Sequence, residues 1–249
     1  MTRPLALAVL LLLGLAPARA EDTIRIATEG AYPPFNYVEN NEPAGFEVDL
    51  AKALCAAMKA TCAVVLQDWD GMRAGLKERR YDAIMSSVEI TEERRQRVAF
   101  SRHYYRIPGA IVGLKADTTA TGTFPDIKGD RVGIVADSEF AEDLATTYPD
   151  ALPRPFAKLD EAQLDLLTGR LDYVMGDKLA LSRFLESREG QACCRFVADV
   201  PLVRNEGIGI AFRKTDTALR DRFDRAIESV IADGTYDRIR AKYIPFDIK

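Results

Sequence analysis

The chain has 249 residues, with 38 acidic against 34 basic side chains, a net charge of −4 and 47% hydrophobic residues. That balance excludes the basic surface by which nucleic acid or an anionic membrane is held. One histidine and no CxxC spacing give no basis for a metal or cofactor site, and none is expected.

Arg3 precedes an apolar run from Leu5 to Leu15, and Ala18-Arg19-Ala20 follows as a small-x-small cleavage site. The run is too short to span a bilayer and has no polar face to make it an amphipathic helix. Residues 1–20 therefore read as a signal peptide, which predicts export to the periplasm. Cleavage there removes Arg3 and Arg19 and no acidic residue, taking the net charge from −4 to −6.

Thr23–Ala27 alternates like a strand and runs into a loop over Thr28–Phe35 rich in Gly, Pro and aromatics. Apolar residues at Phe46, Leu50, Ala53, Leu54 and Ala57 predict a helix over Phe46–Lys59. A strand over Ala63–Leu66, a helix over Trp69–Glu78 and a strand over Tyr81–Met85 follow. The second half repeats the plan, with a strand at Arg131–Val135, helices at Ser138–Thr147 and Asp160–Thr168, and a strand at Leu171–Met175. Strands alternating with helices predict parallel βαβ units.

Two segments match within this repeat. Aligning Leu76–Ser87 with Leu166–Asp177 pairs Arg80 with Arg170, Asp82 with Asp172 and Met85 with Met175. Each reads as a helix, a turn and a strand, so two like lobes are expected. Ligands of open parallel sheets bind beyond the carboxyl ends of the strands. Facing sheets would set Glu29, Ser86 and Ser87 on one wall, and residues 137–139 with Asp177 on the other.

In an exported chain the four cysteines are disulfide candidates. Cys55 and Cys62 stand seven apart across a helix end, within bridging range if the helix stops near Ala60; the alternative is two buried thiols. Cys193 and Cys194 are adjacent, which leaves free thiols, a vicinal bridge or pairing with another chain open.

Further motifs carry a family resemblance. Gly45-Phe-Glu-Val-Asp-Leu50 with Ala53, Leu54 and Met58 is similar to the signature of periplasmic solute-binding proteins for polar amino acids. So are Asp82–Thr91 with Arg94, Ala99-Phe-Ser101 and Asp233-Gly-Thr-Tyr236. The match runs from Thr23 to about Tyr243 and most resembles the lysine/arginine/ornithine- and histidine-binding members. It implies an α/β chain of two Rossmann-like lobes joined by a two-strand hinge, with the ligand cleft between them, the type II periplasmic-binding-protein fold. Expected segments are 21–108 in lobe 1, 109–202 in lobe 2 and 203–249 back in lobe 1. It implies a monomer that binds a basic amino acid, arginine favoured, closes about its hinge and docks on an ABC permease.

The resemblance also assigns residues. Arg94 would grip the ligand α-carboxylate with two parallel bonds, a geometry lysine cannot copy. Read alone, Arg94 is a solvated helix arginine. Asp177 would take the α-ammonium, and equally reads as the N-cap of a helix over Lys178–Leu185. Tyr32 and Trp69 would sandwich the ligand side chain, although a lone tryptophan is usually a core anchor. Glu29 would meet a distal cation. Ser86, Ser87 and Ser138 complete the site. Two positions depart from the family pattern: Glu89 replaces a serine and Glu139 a threonine. The two side chains either swing away from the cleft or add charge that favours a cation, and Glu89 would crowd out opines; with all four acids inward, a polyamine becomes a competing ligand. An exported dehydratase on the same scaffold is the enzymatic alternative, and a sensor ectodomain or adaptor is a third.

Overall fold

The computed structural model of the chain describes residues 23–117, 125–136, 138–200 and 206–249. The proposed leader, residue 137 and the Glu139 side chain lie outside the described residues.

The first lobe begins with β1 (Ile24–Thr28), followed by β2 (Ala31–Tyr32), β3 (Asn36–Glu39) and β4 (Glu42–Ala44). Next come α1 (Phe46–Ala57), β5 (Cys62–Leu66), α2 (Trp69–Lys77), β6 (Ala83–Ile84), α3 (Glu92–Arg95) and β7 (Ala99–Tyr105). The second lobe holds β8 (Gly109–Leu114), β9 (Arg131–Val135), α4 (Glu139–Thr147), β10 (Leu152–Phe156) and α5 (Leu159–Leu167). It continues with β11 (Tyr173–Asp177), α6 (Lys178–Glu186), α7 (Arg188–Cys193) and β12 (Cys194–Val200). The chain then returns to the first lobe as β13 (Ile208–Phe212), α8 (Thr217–Ala232) and α9 (Thr235–Arg240).

Both large sheets have five strands and one plan. The first runs β5-β1-β6-β13-β7 and the second β10-β9-β11-β8-β12. In each, three strands are parallel and the last two join antiparallel. The chain leaves the first sheet after β7, enters the second at β8, and returns from β12 to β13. Carboxyl ends of the central strands in both sheets thus bear the residues named from the sequence.

The core explains the helix assignments. Phe46, Leu50, Ala51 and Leu54 recur at helical spacing and bury one face of α1 against Phe223, Ile227 and Val230 of α8 and Tyr236 and Ile239 of α9. Gly45 opens α1 at φ 115°, where a Cβ would stand 2.4 Å from the Phe35 carbonyl oxygen. Only glycine fits there, because the Phe35 backbone must pass that close to accept from Glu47 N at 2.8 Å.

Two strands depart from expectation. The Tyr81–Met85 strand shortens to Ala83–Ile84, because Tyr81 turns inward to donate its hydroxyl to the Met72 carbonyl. Asp82 is spent on Arg25, accepting from its backbone N at 3.0 Å and from Nε and Nη2. The segment expected as a loop over Thr28–Phe35 contains β2, which pairs with β3 in a small sheet β2-β3-β4.

Cys55 and Cys62 are disulfide-bonded, with Cα atoms 6.1 Å apart, tying the end of α1 to the start of β5. The adjacent Cys193 and Cys194 form a vicinal disulfide where α7 meets β12. Among the described residues no helix is long and apolar enough to cross a membrane. None of them form a group of three or more His, Cys, Asp or Glu side chains able to hold a metal ion.

Candidate functional site

A cavity of about 940 Å³ opens between the sheets, lined on the first lobe by Glu29, Tyr32, Phe35, Asp68, Trp69, Asp70, Ser86, Ser87, Glu89 and Tyr105 and reached from the second by Asp177. Seven of the sequence-named residues meet there: Glu29, Tyr32, Trp69, Ser86, Ser87, Glu89 and Asp177. Five of the lining side chains are carboxylates (Glu29, Asp68, Asp70, Glu89, Asp177), and among the described lining residues there is no lysine or arginine.

Each wall has a local cause. The β1 and β6 ends are locked together by Glu29 N donating to Ser86 Oγ at 2.9 Å. Ser87 sits at φ +52°, a left-handed conformation that costs a non-glycine residue energy and needs outside support. Glu47 supplies it. Its carboxylate accepts from Ser87 N at 2.7 Å, Ser87 Oγ at 3.1 Å, Asn36 Nδ2 at 2.6 Å and the Tyr104 hydroxyl. Asn36 in turn accepts from Gly30 N at 3.0 Å. One fully buried carboxylate thereby fixes the loop after β1, the turn after β6 and strand β7. Burial pushes the Glu47 carboxyl above its ordinary pKa, against the pull of its donors.

The aromatic wall is a stack. Tyr32 lies on Phe35 at 5.3 Å between centroids, and Phe35 on Tyr105 at 4.7 Å. Tyr32 is 51% exposed and Trp69 41%, so neither is a core anchor and both offer open surface to a ligand. Trp69 opens α2 directly after Asp68, whose side chain makes no capping bond.

Asp177 ends β11 and caps α6, its Oδ1 accepting from Ala180 N at 2.7 Å. It also lines the cavity, so capping and facing the cleft coexist. Burial raises the Asp177 carboxyl, opposed by the Ala180 and Leu179 amides and by Arg183. From the same helix, Arg183 Nη2 crosses to the Pro33 carbonyl at 2.9 Å. Lys178 turns to Asp199 at 2.6 Å, with its ammonium 4.7 Å from the Phe246 ring centre.

Arg94 borders a separate groove of about 340 Å³ that shares Trp69 and Asp70 with the main cavity. Thr91 caps α3 by accepting from Arg94 N at 3.2 Å, which sets the direction of the side chain. The guanidinium then lies 5.8 Å from the Trp69 ring centre, donates to the Glu89 carbonyl at 2.9 Å and stands 3.7 Å from the Glu89 carboxylate. Ser138 is not among the lining residues; its hydroxyl donates to the Val135 carbonyl at 2.7 Å.

Sequence reasoning did not assign Glu47, Asn36, Asp68 or Asp70 to the site. Glu47 had a visible signal: it lies three residues before Leu50 and seven before Leu54, which places an acid on the apolar face of α1.

Chemically, the cleft offers a cationic side chain two open aromatic faces and five carboxylates. The profile of the bacterial extracellular solute-binding proteins, family 3, matches residues 24–246. The L-arginine-binding protein of Pseudomonas aeruginosa is 36% identical over 98% of this chain and 95% of its own length. The ABC transporter arginine-binding protein 1 of Escherichia coli is 34% identical over 98% of this chain and 99% of its own. Among solved structures, the L-cystine solute receptor of Neisseria gonorrhoeae in its unliganded open conformation shares the fold. Its TM-score is 0.77 at 24% identity, over 91% of this chain and 94% of that one.

Proposed function

The chain belongs to the bacterial extracellular solute-binding proteins, family 3, and from that premise we propose that it captures arginine, or a close basic relative, in the periplasm and delivers it to an ABC permease. One observation carries the choice of ligand: the cleft presents five carboxylates and two open aromatic faces, with no lysine or arginine among its described lining residues. A guanidinium between Tyr32 and Trp69 with Glu29 at its end gains cation–π attraction and charge-assisted bonds together. Asp177 takes the α-ammonium and Arg94 the α-carboxylate. Ser86 and Ser87 hold the first wall, and Ser138 joins them when the lobes close. Arginine-binding relatives at 36% and 34% identity support the same ligand.

The lobes run over 21–108 with 203–249, and over 109–202, and the crossings between them act as the hinge. The protein works as a monomer that binds and releases its ligand unchanged. A dehydratase on this scaffold would need cationic groups for an anionic substrate, and the lining acids disfavour one.

Calorimetric titration with arginine and citrulline tests the reading, because citrulline keeps the shape and loses the charge. Arginine is expected to bind about a hundredfold more tightly, with Glu29→Gln erasing most of the difference. Equal affinities would refute a basic ligand.

A further inference from the structure

Glu89 holds Arg94 in two ways. Its carbonyl accepts from Nη1 at 2.9 Å, and its carboxylate Oε2 lies 3.7 Å from the same nitrogen. The backbone half of this grip is fixed: Glu89 bridges to Ile208, Ile90 N donates to Gly207 O at 2.9 Å, and Gly209 N donates to Val88 O at 3.0 Å. The carboxylate half is about half exposed. It also lines the main cavity, whereas Arg94 lines only the neighbouring groove. Glu89 thus lines the cleft and keeps its carboxylate 3.7 Å from the guanidinium that a ligand carboxylate must reach.

We propose that the Glu89 carboxylate is a resident stand-in for the ligand carboxylate and therefore the residue that makes the site refuse a carboxylate arriving without an ammonium. The inference rests on the reading above that Arg94 receives the ligand carboxylate. A ligand carboxylate that reaches Arg94 displaces Glu89 into a cleft already holding Glu29, Asp68, Asp70 and Asp177. An added carboxylate among these is disfavoured unless a cation arrives with it. An amino acid brings both on one carbon: its carboxylate replaces Glu89 on Arg94, and its ammonium gives the released Glu89 a partner beside Asp177. A ligand with the carboxylate alone loses the exchange. A ligand with the ammonium alone makes no exchange: it leaves the Glu89–Arg94 pair intact and is held by the cleft acids, Glu89 among them.

The two halves separate with three ligands: arginine, agmatine (no carboxylate) and 5-guanidinopentanoate (no α-ammonium). Each is titrated calorimetrically into wild type, Glu89→Gln and Glu89→Ser. Removing the Glu89 charge is expected to strengthen binding of 5-guanidinopentanoate and weaken binding of agmatine. Their affinity ratio should move about tenfold or more toward the acid in both variants, while arginine changes by less than about fivefold. Both substitutions preserve the backbone bonds at this half-exposed position, and ligand-free melting curves confirm folding. If wild type binds arginine and the ratio moves less than about twofold in both variants, the stand-in role is refuted alone. If wild type fails to bind arginine, the arginine reading falls and this inference falls with it.

Discussion

Replacing Glu47 with Gln tests whether one buried carboxylate organises the site. Asn36 cannot turn its amide to suit the new side chain, because its Oδ1 already accepts from Gly30 N at 3.0 Å. If the Gln oxygen faces Ser87 N and Tyr104, its NH2 group meets the Asn36 NH2 group donor to donor. If it turns round, the Ser87 amide loses its acceptor in a left-handed turn. Either orientation breaks a hydrogen bond to a charged group and strands a buried donor. Each loss is worth about 1–3 kcal/mol, partly offset by the relief of burying no charge. A net cost of about 2 kcal/mol lowers the melting temperature by about 4–8 °C in a chain of this size.

The gap also has a pH signature. Burial raises the folded-state pKa of Glu47, so the stability it contributes is full below its unfolded value and declines as pH rises through the folded one. A neutral Gln has no such dependence. The melting difference between wild type and Glu47→Gln should therefore be largest in acid and narrow as pH rises from about the ordinary carboxylate value. Thermal melts across that range measure it. A variant melting within about 1 °C of wild type throughout would refute the anchoring role. A gap that widens with rising pH would show that the donors, not burial, dominate.

Arg94→Lys should weaken arginine binding by at least about 2 kcal/mol, roughly thirtyfold in Kd, with the fold intact; calorimetry within a few-fold of wild type would remove Arg94 from the carboxylate. Asp177 should make binding pH-dependent, since burial raises its carboxyl and a bound ammonium lowers it again. Affinity should fall as pH drops through that raised value, and Asp177→Asn should flatten the profile; equal profiles for the two proteins would refute it. Non-reducing peptide mapping should recover Cys55 and Cys62 as one linked fragment, and reduction should cost about 2–3 kcal/mol of stability for so short a loop. Two free thiols in exported protein would contradict the bridge.

The internal repeat was legible from few residues, and the structure supplies its reason. Arg25 and Arg131 stand in the first parallel strand of their lobes. Each donates its backbone N, Nε and Nη2 to one aspartate, Asp82 or Asp172, and also reaches a helix-end carbonyl, Arg79 or Gly169. The aligned aspartates are the acceptors of one clip used twice, and the aligned Met85 and Met175 are both buried. Strand ends were less legible. Leu171–Met175 appears as Tyr173–Asp177 because Leu171 N stays with Asp165 O in the turn and Asp172 serves the clip. Glu29, Ser86, Ser87 and Asp177 could be placed because sheet topology alone puts them at strand ends. The groove holding Arg94 could not, since its walls are side chains from several elements, among them Trp69, Met72 and Phe100.

The shared clip makes the difference between the lobes informative. After the third parallel strand the first lobe has Ser86-Ser87, with its carboxylate, Glu47, behind the turn and hydrogen-bonded to Ser87. The second ends that strand with Gly176-Asp177, whose own carboxylate opens to the cavity. Four acids line the first wall and one the second, so bringing the walls together without a cation sets like charges against each other. The Arg183–Pro33 contact spans the lobes and its guanidinium offsets part of the Asp177 charge, but Arg183 does not line the cavity and leaves the four acids of the first wall without a cation inside it. A ligand with a cation at each end, held at Glu29 and at Asp177, turns both repulsions into attractions. On the proposed reading, closure is therefore driven by the ligand's charge, which is why citrulline, alike in shape, should fail to hold the lobes shut.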